Sequence, residues 1–81
     1  MSAILVVDDE PAIGWSLREL LTEEGHAVAV AASVEEALES CRDRPPETIL
    51  LDVRLPGRDG LSAIPDLRAL APRAPVIVMT A

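Results

Sequence analysis

Four short apolar runs, each four or five residues long, restrict the possible folds of this chain more than any other feature. They occupy residues 3–7, 27–31, 48–51 and 76–79. Runs of this length that are rich in valine and isoleucine are typical of β-strands, and a continuous apolar run is typical of a strand that is buried on both faces. The second run alternates alanine with valine, which favours a position near the edge of a sheet.

Segments with the apolar spacing of an α-helix lie between these runs. The repeating positions are Ile13, Leu17, Leu20 and Leu21 in the first segment, Val34, Ala37, Leu38 and Cys41 in the second, and Ile64, Leu67 and Leu70 in the third. Strands and helices therefore alternate in the order βαβαβαβ. This order predicts a single α/β domain with a parallel sheet and right-handed crossovers.

Individual residues predict where the helices begin and end. Pro11 suits the first turn of a helix, an aspartate just before it can cap that helix, and Gly25 suits the left-handed position at its end. Ser33 and Glu36 form a capping box for the second helix. The third helix is expected over residues 61–71. Because Pro65 lacks the N–H that a helix interior needs, this helix either starts late or is kinked.

The composition excludes several classes of function. The 81 residues suffice for one small domain, and no apolar run approaches the roughly 18 residues of a transmembrane helix. A net charge of −7 and an aromatic content of 1 % argue against a nucleic-acid-binding surface. Cys41 is the only cysteine, so one chain cannot form a disulfide or a cysteine-based zinc site. We therefore expect a cytoplasmic protein without a signal peptide, and no direct contact of this segment with nucleic acid or membrane.

Three of the four predicted strands end in acidic or hydroxyl residues. Asp8 and Asp9 follow the first strand, Asp52 follows the third, and Thr80 follows the fourth. Open parallel sheets bind ligands beyond the carboxyl ends of their strands. If the first and third strands are neighbours, three carboxylates converge there. Two such charges ~4 Å apart repel each other by ~4 kcal/mol at an effective dielectric constant of ~20.

A cluster of this kind requires a cation, a proton or a strong hydrogen-bond donor beside it. Because the chain contains no lysine, Mg²⁺ with its preference for oxygen ligands is the natural partner. A carboxylate next to bound Mg²⁺ can also attack phosphorus as a nucleophile. Two simpler interpretations remain, in which Asp8 or Asp9 only caps the first helix and Asp52 only begins a loop. The recurrence of polar residues at three equivalent strand ends favours a ligand site over both.

Three segments that contain these residues resemble the receiver domain of two-component response regulators. They are VVDDEP at residues 6–11, LLDVRLPGRDG at residues 50–60 and VIVMTA at residues 76–81. The WSLRE segment at residues 15–19, together with DVRLPG at residues 52–57, is most similar to the sigma-54-dependent, NtrC-type transcription activators. The resemblance extends over all 81 residues. It implies a flavodoxin-like (CheY-like) fold of three layers, with a parallel sheet in the strand order 2-1-3-4.

The resemblance also implies a role for each residue at the strand ends. Asp52 would be the phosphoacceptor for a sensor histidine kinase. Asp9, Asp52 and the main-chain carbonyl of Arg54 would bind Mg²⁺ directly, whereas Asp8 would act mainly through water. Thr80 would be the switch hydroxyl, which moves to the phosphoryl group and changes the conformation that controls a transcription-activating output. A receiver catalyses only its own phosphorylation and dephosphorylation, so no other enzymatic activity is expected.

The length departs from the family pattern. A complete receiver has a fifth strand and two more helices, so residues 1–81 are interpreted as a partial receiver domain without its output domain. The lysine expected at the end of the fifth strand has no counterpart here, and phosphorylation is therefore expected to be slow or absent. The fourth strand and the uncovered sheet face are expected to mediate self-association. The alternative function is that of an inert receiver fragment or pseudo-receiver, which acts only as an interaction or oligomerisation module.

Overall fold

The computed structural model describes residues 2–55, 57 and 59–79, and its elements follow the order expected from the sequence. The strands are β1 (Ala3–Val7), β2 (Ala27–Ala31), β3 (Thr48–Asp52) and β4 (Val76–Met79). The helices are α1 (Pro11–Glu23), α2 (Val34–Asp43) and α3 (Ile64–Leu70), the last preceded by a 3-10 turn over Leu61–Ala63. The predicted alternation is therefore confirmed. Within the described ranges, none of the helices is long and apolar enough to cross a membrane.

All four strands run parallel and lie in the order β2-β1-β3-β4, as expected. Val7, the last residue of β1, pairs with Ala31 of β2 on one side and with Leu51 of β3 on the other. The carboxyl ends of these three strands therefore lie at the same level of the sheet. The predicted position of β2 at an edge is confirmed.

The main hydrophobic core lies between the sheet and the helices α2 and α3. Its most deeply buried side chains are Leu5, Val7, Val34, Cys41, Ile49, Leu51 and Leu67. Successive side chains of a strand point to opposite faces, so the buried Ile4 and Val6 lie on the other face of the sheet, against which α1 packs. The fold thus has the three layers expected, with α1 on one face and α2 and α3 on the other.

Helix α1 turns a different side to the sheet from the one that its apolar spacing predicts. The spacing predicts that Ile13 and Leu20 face the core, but they are 45 and 56 % exposed. The buried residue of α1 is instead Gly14, where a Cβ atom would lie 2.9 Å from Cγ1 of Val30 on β2. The helix approaches the sheet through its glycine. The face of α1 that meets the sheet is therefore set by this close contact and not by the largest side chains.

The ends of the helices follow most of the local signals. Oγ of Ser33 accepts a hydrogen bond from the N–H of Glu36 at 3.2 Å, and Oε1 of Glu36 accepts one from the N–H of Ala32 at 3.3 Å. The capping box is thus present, with its return bond shifted by one residue. Gly25 has a φ of 91°, the left-handed conformation that favours glycine. Helix α3 begins with Pro65 in its first turn, so the prediction of a late start is confirmed.

Strand β4 lies at the other edge of the sheet and is exposed on both faces. Ile77 is 51 % exposed and Val78 is 40 % exposed, although adjacent strand residues point to opposite faces. This exposure agrees with the expectation of an uncovered apolar strand. Self-association through β4 stays a prediction.

Candidate functional site

Three carboxylates converge at the carboxyl edge of the sheet, and we call Asp8, Asp9 and Asp52 the acidic cluster. One carboxylate oxygen from each residue lies within 4.8 Å of the other two. Asp8 is buried, with 6 % of its surface exposed, whereas Asp52 is half-buried and Asp9 is exposed. The cluster therefore has a buried floor and an open side that faces solvent.

The pairing of β1 with β3 accounts for this convergence. Val7 pairs with Leu51, so the next residues along the two strands, Asp8 and Asp52, emerge side by side. The N–H of Asp8 donates to the carbonyl oxygen of Ala31 at 2.9 Å, which extends the pairing of β1 with β2 by one residue. The backbone of Asp8 is thus fixed by the sheet itself.

Asp8 and Asp52 make the same local turn. Oδ1 of Asp8 accepts a hydrogen bond from the N–H of Glu10 at 2.9 Å, and Oδ1 of Asp52 accepts one from the N–H of Arg54 at 3.0 Å. Each bond joins a carboxylate to the N–H two residues later, which is the pattern of an Asx turn. One oxygen of each side chain is therefore held by the backbone of its own turn.

The turn after β1 corrects the interpretation of an aspartate as a cap for α1. The residue at the cap position is Glu10, and its side chain makes no capping hydrogen bond. Asp8 lies two residues before this position, so its carboxylate reaches the N–H of Glu10 and not an N–H of the helix. Its hydrogen bond bends the chain from β1 towards α1.

The electrostatic environment raises the pKa of Asp8 above its ordinary value. Burial of the carboxyl group is the largest cause. The negative charges of Asp52 and Asp9 and a hydrogen bond with the Asp52 side chain raise this pKa further, whereas the N–H of Glu10 lowers it. The acidic cluster therefore contains negative charge that its surroundings do not balance.

These residues fit the predicted Mg²⁺ ion. The donor set consists of carboxylate oxygens, which hard divalent cations prefer. Burial and the neighbouring carboxylates raise the pKa of Asp8, and a divalent cation bound beside these carboxylates would offset their negative charge. Arg54 lies at the same edge and is exposed, but the role of its carbonyl stays a prediction. Thr80 lies outside the described residues, so its role as the switch hydroxyl also stays a prediction.

Asp59 and Gly60 close the loop after Asp52, and neither was among the functional residues predicted from the sequence. Oδ1 of Asp59 accepts a hydrogen bond from the N–H of Leu61 at 3.0 Å, and the N–H of Gly60 donates to the carbonyl oxygen of Val53 at 3.3 Å. An aspartate just before a helical pattern is a capping signal, so the role of Asp59 was open to prediction. Gly60 has a φ of −57°, which any residue adopts, so no local signal marks it.

Comparison with protein families and curated proteins gives a consistent result. A model of the response regulator receiver domain family matches residues 4–81. The DNA-binding transcriptional regulator NtrC of Klebsiella pneumoniae is 37 % identical over 76 residues, which are 94 % of this chain and 16 % of that protein. The predicted similarity to NtrC-type regulators is therefore confirmed. The chain spans between 16 and 36 % of the length of the curated relatives that we compared.

Two solved structures share the fold of this chain. A response regulator protein from Burkholderia pseudomallei, solved with a phosphorylated aspartic acid, calcium ion and citrate, has a TM-score of 0.94 and 34 % identity, covering 99 % of this chain and 47 % of that one. The response regulator TrrA from Thermotoga maritima, in complex with Mg(2+)-BeF, has a TM-score of 0.90 and 40 % identity, covering 100 % of this chain and 70 % of that one. The predicted flavodoxin-like, CheY-like fold is thereby confirmed.

Proposed function

This chain belongs to the response regulator receiver domain family, and on that premise we propose that Asp52 accepts a phosphoryl group from the phosphohistidine of a sensor histidine kinase. The observation on which the proposal rests is the convergence of Asp8, Asp9 and Asp52 within 4.8 Å. The Burkholderia relative, whose structure contains a phosphorylated aspartic acid, supports the same chemistry. The phosphorylated domain would control a transcription-activating output in the cytoplasm, and its catalysis would be limited to its own phosphorylation and dephosphorylation.

The position of Asp52 suits a nucleophile. The N–H of Arg54 holds Oδ1 and orients the carboxylate, and Oδ2 would be the oxygen that attacks phosphorus. The new bond joins Asp52 to phosphorus as an acyl phosphate. The bond between phosphorus and the histidine nitrogen breaks, its electron pair leaves with the imidazole, and the imidazole takes a proton from solvent. Half-burial of Asp52 fixes this side chain while leaving it accessible to a donor.

The acidic cluster explains why phosphoryl transfer at this edge requires positive charge. Its carboxylates repel an incoming phosphoryl group as well as one another, and two unit charges ~4 Å apart repel by ~4 kcal/mol at an effective dielectric constant of ~20. Asp9, Asp52 and the main-chain carbonyl of Arg54 would bind Mg²⁺ directly, and Asp8 mainly through water. When bound, the ion would supply positive charge beside the oxygens of the transferred group.

Thr80 completes the proposal as the switch hydroxyl. Asp52 pairs with Met79 in the sheet, and Thr80 follows Met79 in the sequence. A hydroxyl that bonds a phosphoryl oxygen on Asp52 would couple the phosphorylation state of β3 to the conformation at the end of β4. The phosphoryl group would thus be detected by the neighbouring strand.

The test is incubation with Mg²⁺ and acetyl phosphate, followed by mass spectrometry over hours, because a chain without lysine is expected to react slowly. The expected product carries one phosphoryl group, is labile to hydroxylamine and is missing in Asp52→Asn. Asp59→Asn is the matched control, since it removes one negative charge from the same loop while asparagine can still accept the N–H of Leu61. A mass gain in Asp52→Asn equal to that of the wild type would exclude Asp52 as the acceptor.

The alternative function is that of an inert receiver fragment or pseudo-receiver that acts as an interaction module. The exposure of Ile77 and Val78 on both faces of β4 favours it. This alternative predicts no mass gain in the wild-type chain and a mass that rises with protein concentration in light scattering. A compact monomer that gains a phosphoryl group at Asp52 would exclude it.

A further inference from the structure

Gly60 lies closer to the backbone of β3 than any residue with a side chain can. A Cβ atom at Gly60 would lie 2.5 Å from the carbonyl oxygen of Asp52 and 3.0 Å from Cα of Val53. Both are backbone atoms, so neither can swing away as the end of a flexible side chain does. Gly60 is buried, and its N–H donates to the carbonyl oxygen of Val53 at 3.3 Å. The loop after β3 is therefore closed at its base by a contact that excludes a Cβ atom.

This requirement concerns space and not backbone conformation. Gly60 has φ −57° and ψ −40°, which are ordinary helical values for any residue. Gly57, in the same loop, shows the opposite case, because its φ is 80° and a Cβ atom there would meet nothing within 4 Å. An alanine at Gly60 consequently tests the close contact alone, without added backbone strain.

The hydrophobic core anchors Gly60 from the other direction. Gly60 directly precedes the 3-10 turn Leu61–Ala63, and Ala63 is fully buried in the core formed with α2 and α3. Asp59 accepts the N–H of Leu61 and fixes the start of this turn. Because the 3-10 turn is anchored in the core, making room for a Cβ atom at Gly60 would displace the carboxyl end of β3 and not the turn.

The end of β3 is where the proposed phosphoryl chemistry takes place. Val53 lies between Asp52 and Arg54, and the N–H of Arg54 holds Oδ1 of Asp52 at 3.0 Å. We propose that Gly60 is a positioning residue, whose missing Cβ allows the contact with Val53 that keeps the Asp52 carboxylate and the Arg54 carbonyl in place as cation ligands. This inference rests on the proposed function and adds a residue that touches neither the cation nor the phosphoryl group.

Titration of Gly60→Ala with magnesium chloride tests the proposal, with the amide signal of Arg54 as the readout in NMR at a temperature where every variant is folded. We expect a dissociation constant at least tenfold above that of the wild type, and slower phosphorylation by acetyl phosphate. Gly25→Ala is the matched control, because its φ of 91° makes alanine strained while a Cβ atom there meets nothing within 4 Å. Gly25 lies between α1 and the amino end of β2, whereas Gly60 contacts the carboxyl end of β3.

The control is expected to lose stability and to keep the Mg²⁺ affinity of the wild type within twofold. A Gly60→Ala variant that is destabilised to a similar degree and also keeps this affinity within twofold overturns the proposal, because the contact then serves packing alone.

A second measurement decides the matter if Gly60→Ala does not fold. In the wild type, the amide signals of Gly60 and Arg54 are expected to shift with the same midpoint during the Mg²⁺ titration. A Gly60 signal that stays fixed while Arg54 responds overturns the proposal. Absence of any Mg²⁺ response overturns both the proposal and the proposed function. A wild type that binds Mg²⁺ without ever gaining a phosphoryl group refutes the proposed function only, since neither titration depends on phosphoryl transfer.

Discussion

The chain leaves the sheet through the same turn after β1 and after β3, but the connections that these two turns begin differ in length. At both exits, an aspartate Oδ1 accepts the N–H two residues later. After β1, helix α1 begins at Pro11 and Asp8 stays buried. After β3, eight residues of sequence separate Asp52 from the next helical turn, which begins at Leu61, and Asp52 is half-buried. One local turn thus produces a buried carboxylate in one place and an accessible one in the other.

The difference shows that connection length determines what a strand-end carboxylate can do. Asp8, before the short connection, is buried and is held by the N–H of Glu10, so we expect it to act mainly on the electrostatics of the acidic cluster. The long connection leaves Asp52 open to a donor and requires separate contacts, from Leu55 on the core and from Gly60, to hold its backbone. Substitutions at the end of β1 should therefore change Mg²⁺ affinity and stability, and those at the end of β3 should change phosphorylation.

The largest expected effect concerns Asp8 and Asp52, whose substitutions should differ in whether high Mg²⁺ restores phosphorylation. Asp52→Asn should abolish phosphorylation at every Mg²⁺ concentration, because the nucleophile is lost. Asp8→Asn should weaken Mg²⁺ binding about tenfold or more, equivalent to about 1.4 kcal/mol per tenfold, and high Mg²⁺ should restore its phosphorylation. Mass spectrometry across a Mg²⁺ series measures both. Rescue of Asp52→Asn by Mg²⁺, or failure to rescue Asp8→Asn, would contradict the assigned difference.

Mg²⁺ should also stabilise the folded chain through the acidic cluster. A cation that binds only the folded state raises the free energy of unfolding by about 2.7 kcal/mol at a hundred times its dissociation constant. Urea unfolding with and without magnesium chloride measures this gain. The gain should shrink in Asp8→Asn and persist in Asp59→Asn, whose side chain lies outside the acidic cluster. Equal gains in both variants would place the bound ion elsewhere.

Removing the buried charge at Asp8 should stabilise the protein when Mg²⁺ is absent. The folded state raises the pKa of Asp8 above its ordinary value of 3.8, so the folded state binds this proton more tightly than the unfolded state. The resulting stability is present below the ordinary value and is lost as the pH rises through the raised pKa.

At pH 7, we therefore expect Asp8→Asn to exceed the wild type by about 1 kcal/mol in free energy of unfolding, because a neutral amide avoids the burial of a charge and removes the repulsion from the other carboxylates. Urea unfolding in chelator from pH 3 to pH 7 measures the difference between the two proteins, which should grow as the pH rises. A difference that is constant with pH would contradict the assignment to Asp8.

The smallest expected effect concerns two apolar residues, one after β1 and one after β3. Leu55, in the loop after β3, packs against the core, whereas Ile13, in the first turns of α1, is exposed. Leu55→Ala should lower the free energy of unfolding by about 1 kcal/mol, as expected for a partly buried leucine. Ile13→Ala should change it by less than about 0.5 kcal/mol. Equal losses in urea unfolding would show that Leu55 does not anchor the loop.

The strands and the acidic cluster were predictable because they depend on local pattern and on one topological rule. Each strand is a short apolar run, three of the four runs are followed by an acidic or hydroxyl residue, and parallel strands bring such ends together. The pairing of Val7 with Leu51 then suffices to place Asp8 beside Asp52. No side-chain packing has to be known for that step.

The packing of α1 and the role of Gly60 were not predictable because both depend on contacts between distant parts of the chain. Apolar spacing locates a stripe on α1, but the approach of Gly14 to Val30 decides which side meets the sheet, so Ile13 and Leu20 are exposed. Gly60 has ordinary helical dihedral angles, and only its distance to the backbone of β3 explains the missing side chain.

The open side of the acidic cluster has a consequence for the choice of phosphodonor. Among the residues that the structure describes, Asp9 is exposed and Asp52 is only half-buried, so the proposed phosphoacceptor lies at the open side of the acidic cluster. If Asp52 is the phosphoacceptor, an exposed position imposes no size limit on the donor, and a small phosphorylated metabolite and a folded protein bearing phosphohistidine would both be expected to reach it. On the proposed function, fidelity to one kinase would then depend on surfaces outside the acidic cluster, which could diverge between paralogous regulators while the phosphoryl chemistry stayed the same.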